Sequence, residues 1–194
     1  GTQLADSMGN TEMWENWKTE WENLKTDWTQ ISLTPGKDES ELNFAWYSKG
    51  TAVPKLKIGE GRNMKNAVSY TAEQTAVAEE QDSEGNTYVS NKVTAKNLKE
   101  GTTYYYSYQK EDGTYTKPVA HSVKAADQFS FIFVGDPQIG SSNELKGTDT
   151  EEFYNAQSES VCSDAFNWET TLNAAMDMSG NQASFVVSAG DQIQ

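Results

Sequence analysis

The sequence predicts a mixed fold: a lone N-terminal helix, an all-β sandwich, and then the opening of an α/β unit. Three observations predict it. Tryptophans recur at helical spacing near the N-terminus. The middle of the chain alternates apolar and polar residues, with turn signals about every ten residues, as sandwiches do. Beyond residue 126 the alternation gives way to two continuously apolar strands separated by a helical stretch. The regions are therefore 1–27, 28–126 and 127–194, within a chain of 194 residues that can hold one large or two ordinary domains.

The first region contains "NTEMWENWKTEWENLKTDW", in which Trp14, Trp17, Trp21, Leu24 and Trp28 line one helical face. Asn10 or Thr11 can cap the start, and Glu12 and Glu15 suit the positive end of the helix dipole. A helix of this length is marginal in water without a surface to bury against, so the stripe is expected to pack onto the domain that follows. The alternative is a sugar- or partner-binding platform.

The second region reads as six or seven short strands. "ELNFAWYS" places Leu42, Phe44 and Trp46 on one face, and "KLKIG" repeats the alternation with Leu56 and Ile58. "TYVSNKVTAKNL" is entered through the turn Glu84-Gly85-Asn86. "TTYYYSYQ" and "TYTKPVAHSV" flank Asp112-Gly113, a strong hairpin signal. The only histidine, His121, falls in the last strand in phase with Tyr115, Val119 and Val123, and reads as an ordinary strand residue.

Within this region "NLKEGTTYYYSY" resembles the corner between the fifth and sixth strands of a fibronectin type III domain. Leu98, Gly101, Thr102 and Tyr104 stand at the pattern's positions, and Glu100 replaces its usual proline. The resemblance implies that the Tyr104 hydroxyl ties back to the main chain, a structural role.

In the third region "FSFIFV" and "SFVVSAGD" are apolar throughout, as strands covered on both faces are. Between them lie "EEFYNAQSESVCSDAF" and "NWETTLNAAMDMSG", with Trp168, Leu172, Ala175 and Met176 on one helical face. Asn167 is placed to cap a helix start and Gly180 to follow its end. Strand, helix, strand makes a βαβ unit with parallel strands.

Each of these strands runs into a Gly-Asp pair, Gly135-Asp136 and Gly190-Asp191. Parallel strands end at one edge, where open α/β sheets hold ligands. If adjacent, they lie about 4.8 Å apart, and two carboxylates brought that close repel unless a cation joins them. A two-metal site needs its ions roughly 3.5–4 Å apart, within the span of one bridging carboxylate.

A sandwich followed by strand–GDPQ, helix and strand–GDQ resembles the purple acid phosphatase-type, calcineurin-like metallophosphoesterases, from about Trp28 to Gln194. The resemblance implies a truncated α/β metallophosphoesterase domain behind a fibronectin type III-like sandwich. It implies that Asp136 holds one metal and that Asp191 bridges two, the pair being Fe, Mn or Zn. Gln138 stands where many members have a histidine, and Gln194 where the purple enzymes have a tyrosinate; both would be weak ligands. The later histidine blocks of that family do not occur in this chain, nor does its general acid. No catalytic residue is therefore expected here. The resemblance implies the front part of a phosphoester hydrolase, inactive alone, whose metal ions would in the complete enzyme activate water for attack on phosphorus.

Composition narrows the remaining classes. A net charge of −14 without a basic run disfavours nucleic acid and anionic membranes as partners. No apolar stretch reaches the roughly 18 residues of a membrane span. A single cysteine, Cys162, allows no internal disulfide. Tyr-, Thr- and Asn-rich strands suit a secreted or cell-surface bacterial protein. Expected partners are a phosphoester substrate and whatever covers the apolar strands, either the rest of the catalytic domain or another copy. The rival reading is an extracellular binding or adhesion module that uses the sandwich and the tryptophan helix. An acidic stretch at 147–152, "GTDTEE", reads as a solvated loop in preference to a calcium site.

Overall fold

The computed structural model describes residues 11–50, 52–82, 84–145 and 149–193. Two compact units emerge. One is Trp28–Phe129, and the other holds the described residues of Gly1–Asp27 and Ser130–Gln194.

The Trp28–Phe129 unit contains β1 (Ser32–Pro35), β2 (Leu42–Lys49), β3 (Lys55–Gly59), β4 (Val68–Thr71), β5 (Glu73–Gln81), β6 (Thr87–Ala95), β7 (Thr103–Tyr108) and β8 (Val119–Ser122). They form two four-stranded sheets, β1-β2-β6-β5 and β4-β3-β7-β8. All pairings are antiparallel. The predicted alternation sets the core: Leu42, Phe44 and Trp46 of the first sheet meet Leu56, Ile58, Tyr104 and Tyr106 of the second. Phe44 and Tyr106 lie 5.1 Å apart between ring centres. Phe44 and Leu56 are fully buried, each contributing about 1.5–3 kcal/mol of transfer free energy.

Eight described strands exceed the expected six or seven. The strands without a sequence signal are β1, β4 and β5, and all three are sheet edges. An edge strand packs fewer neighbours and needs a weaker apolar pattern: "SLTP" ends on proline and "EQTAVAEEQ" is mostly polar. The stretch expected as one strand, "TYTKPVAHSV", is interrupted at Pro118. Tyr115 keeps an isolated bridge to Gln109, and regular pairing resumes at Val119.

One polar residue sits in this core at full burial. The Asn91 side chain donates to the Ser48 hydroxyl at 2.8 Å and to the Trp46 carbonyl at 3.2 Å, and accepts from Gln74 at 2.9 Å. The expected corner contact is present: the Tyr104 hydroxyl accepts from the Lys99 main-chain N–H at 3.0 Å. Gly101 beside it takes φ +71°, which a side chain would strain.

The second unit contains α1 (Thr11–Leu24), β9 (Ser130–Val134), α2 (Glu151–Met178) and β10 (Ala183–Ser188). The tryptophans of the stripe that lie in α1, Trp14, Trp17 and Trp21, are covered by α2, whereas the helix ends at Leu24 and Trp28 leaves that face, its ring stacked 5.0 Å from that of Tyr88 in the sandwich. Trp14 is buried with its ring 5.3 Å from that of Phe166, and the Trp17 indole donates to the Cys162 carbonyl at 2.9 Å. Trp17 and Trp21 are half-buried and stacked at 5.6 Å. The cover is not the domain that follows, as the spacing leads one to expect, but a helix reached 145 residues downstream at the Trp17 bond.

A second correction concerns α2, which is one continuous helix. Its cap is Thr150, whose hydroxyl accepts from the Phe153 N–H at 3.1 Å, ahead of Glu151 and Glu152 in the first turn. Asn167 lies in the helix interior and caps nothing, because no Gly or Pro interrupts 151–178. Gly180 does follow the C-cap with φ +62°, as expected.

Strands β9 and β10 are adjacent and parallel, pairing Phe131 with Phe185 and Val134 with Ser188. Coverage on both faces is not found among the described residues. Phe131 and Phe133 are 50% and 67% exposed, and Val186 and Val187 are 48% and 38% exposed. Ile132 and Val134 are half-buried.

Candidate metal centre

Because β9 and β10 are parallel neighbours, both Gly-Asp pairs leave the sheet at one edge. The two exit loops run side by side and are laced by main-chain bonds. The Asp136 N–H donates to the Gly190 carbonyl (3.2 Å), Gln138 to Asp191 (2.8 Å) and Ile139 to Gln192 (3.1 Å). Ile139 and Ile193 form a parallel bridge that extends the ladder past the strands.

The backbone at this rim is unusual. Asp136, Gln138 and Asp191 have φ of 59°, 43° and 41°, in the left-handed region that non-glycine residues rarely enter. Asp tolerates it better than most residues, and such positions gather at functional sites. The glycines differ in their reasons. Gly190 has φ +117°, whereas a Cβ on Gly135 would come within 3.3 Å of the Ala189 side chain. One supplies conformation and the other supplies closeness.

Asp136 and Asp191 are both exposed, and Gln138 is half-buried. Gln194 lies outside the described residues. The two carboxylates are hard oxygen donors, which by themselves suit Mn best of the three expected metals, on loops joined by main-chain bonds. Alone they are an incomplete set: the described residues contain no group of three or more His, Cys, Asp or Glu gathered for a metal. The donor chemistry fits part of a two-metal site.

On its other side, the loop after β9 is held by α2. The Asp164 carboxylate accepts from the main-chain N–H of Gly140 at 2.8 Å and of Ser142 at 3.3 Å. The Gln157 amide donates to the Gly140 carbonyl at 3.2 Å and accepts from Asn143 at 2.9 Å. Gly140 is buried at φ +104°, and a Cβ there would meet the Gln157 amide at 2.6 Å. Neither Asp164 nor Gln157 stands out in the sequence. Both sit in the interior of a helix with no motif around them, and only the return of the loop reveals their use.

His121, on β8, is half-buried opposite Tyr104. Burial and then Lys124 lower its pKa below the ordinary value. Cys162 is buried under α1, and burial raises its thiol pKa. No described helix is long and apolar enough to cross a membrane.

The family model "Purple acid Phosphatase, N-terminal domain" matches residues 28–131. Among solved structures, a purple acid phosphatase from yellow lupin (Lupinus luteus) seeds is 18% identical, with a TM-score of 0.43 over 57% of this chain. The matched part is 23% of the lupin protein's chain. Astrotactin-2, a vertebrate-specific perforin-like membrane protein, is 10% identical over 50% of this chain and 22% of its own, with a TM-score of 0.35. The sensor domain of the anti-sigma factor RsgI4 from Pseudobacteroides cellulosolvens is 13% identical over 63% of this chain and 89% of its own, at 0.32. No curated protein matches.

Proposed function

Since the chain belongs to the purple acid phosphatase N-terminal domain family, we propose that it is the front part of a two-metal phosphoester hydrolase, and that Asp136 and Asp191 are its first metal ligands. The observation that carries this reading is the pair of Gly-Asp exits on adjacent parallel strands, laced together at one rim. That arrangement sets two carboxylates on neighbouring loops, from which both could contribute oxygen ligands to one cation. Metal ions bound there would supply Lewis-acid stabilisation of a phosphoryl group. The residues of this chain hold and orient. The remaining ligands and the general acid belong to sequence outside these 194 residues, and the isolated chain is expected to be inactive.

In a chain of net charge −14, such cations would supply the largest local positive charge for an anionic substrate. With Gln194 at the place of the tyrosinate, the full-length protein is expected to lack the iron–tyrosinate band in its visible spectrum. Its location is proposed as secreted or cell-surface, which fractionation of the source cells tests.

The deciding experiment is Asp136→Asn and Asp191→Asn in the full-length protein, with bound metal quantified and p-nitrophenyl phosphate as substrate. Each variant is expected to lose metal and to hydrolyse more than about 100-fold slower, since even outer-shell partners cost 10–100-fold. Unchanged metal content in both would overturn the proposal.

A further inference from the structure

We propose that Asp164 is a positioning residue, whose carboxylate fixes the loop carrying Asp136 and Gln138 by accepting the main-chain N–H groups of Gly140 and Ser142. The inference rests on the metal-ligand reading of Asp136 given above.

The loop from Gly135 to Ser142 contains two left-handed non-glycine residues, Asp136 and Gln138, and Gly140 at φ +104°. A left-handed residue costs about 1 kcal/mol or more and persists only where the surroundings over-determine it. On the β10 side the bonds from Asp136, Gln138 and Ile139 supply part of that constraint. Those three bonds fix the loop to a second exit loop that is itself exposed. The other constraint comes from a rigid helix. Asp164 stands on α2 and takes two N–H groups on one oxygen, at 2.8 and 3.3 Å. Bonds from N–H to a carboxylate are about twice as strong as neutral ones.

Gln157, two turns earlier on the same helix, donates to the Gly140 carbonyl at 3.2 Å, and a Cβ at Gly140 would have to displace its amide. Helix, carboxylate and amide thus grip the loop four residues beyond Asp136. The first ligand would owe its direction to this grip. Groups that orient ligands typically change metal affinity by about 10–100-fold when removed.

The test compares Asp164→Ala, Asp164→Asn and Asp136→Asn in the full-length protein. Hydrogen exchange at Gly140 and Ser142 is read without metal, and Mn(II) affinity by electron paramagnetic resonance. Asp164→Ala is expected to speed exchange at both amides and to weaken Mn(II) binding about 10-fold or more. Asp164→Asn keeps an acceptor of the same shape and is expected to recover part of both; it also serves if the alanine variant fails to fold. Unaltered exchange at Gly140 and Ser142 in a folded Asp164→Ala protein overturns the brace itself. Faster exchange with wild-type Mn(II) affinity, while Asp136→Asn loses Mn(II), overturns the positioning role and leaves the metal reading standing. Retention of Mn(II) by Asp136→Asn overturns both.

Discussion

At the scale of single residues, three side chains carry consequences that can be measured. Tyr104 accepts the Lys99 N–H, so Tyr104→Phe is expected to cost about 1 kcal/mol in denaturant unfolding of the sandwich. Asn91 is fully buried with its amide satisfied by Ser48, Trp46 and Gln74. Asn91→Ala strands those partners beside a small cavity, and a loss of about 2–4 kcal/mol is expected in the same assay. His121 gives a pH signature. Its folded pKa lies below the ordinary value, with burial the main cause and Lys124 the second, so protonation favours the unfolded chain. The stability it contributes is complete above about pH 6.5 and is lost as pH falls through the depressed folded value. Melting temperature is therefore expected to drop between pH 7 and 5, and less steeply in His121→Gln. Gly180 is marked by local geometry, which calls for a left-handed residue after a helix, whereas Tyr104 and Leu98 are marked by the resemblance of their stretch to a fibronectin type III corner. Asp164 carries no such mark because its chemistry is spent on a segment 24 residues away.

At the scale of elements, pattern strength tracked position in the sheet. The central strands β2, β3 and β7 read clearly because one of their faces is buried in the core. The edges β1, β4 and β5 did not, since an edge contributes few side chains to that core. The helices show the same limit. The stripe of α1 announced a buried face without naming its cover, and α2 read as two pieces because a polar Asn167 mimics a cap. The α1–α2 contact is testable. Trp14→Ala removes a buried ring packed edge-on to Phe166, and a loss of about 3–5 kcal/mol is expected in the unit formed by α1, α2, β9 and β10. Amide exchange should rise in α2 while the sandwich strands keep their protection. A uniform rise across both units would contradict the assignment of α1 to that unit.

At the scale of the whole molecule, the two units differ in how completely each closes on itself. The sandwich encloses a core contributed by both of its sheets. The two-stranded β10-β9 sheet leaves Phe133 67% exposed, and each strand has an outer edge without a neighbour in that sheet. Exposed apolar faces and open edges promote association. Residues 28–129 alone are expected to sediment as a monomer with cooperative unfolding, and the 194-residue chain to self-associate at micromolar concentration. Phe133→Lys is expected to reduce that association. Equal monomeric behaviour of both would show that the open face needs no cover. By itself the sequence determined the alternation, the turns and the parallel Gly-Asp strands, because each follows from the period of one element or from the rules that join neighbouring elements, while the corner tyrosine is legible through a family resemblance. Only the tertiary structure decided that α1 lies on α2, that the two exit loops are laced, and that Asp164 grips the first of them. Those pairings join segments distant in the chain, and nothing local in either partner encodes the other.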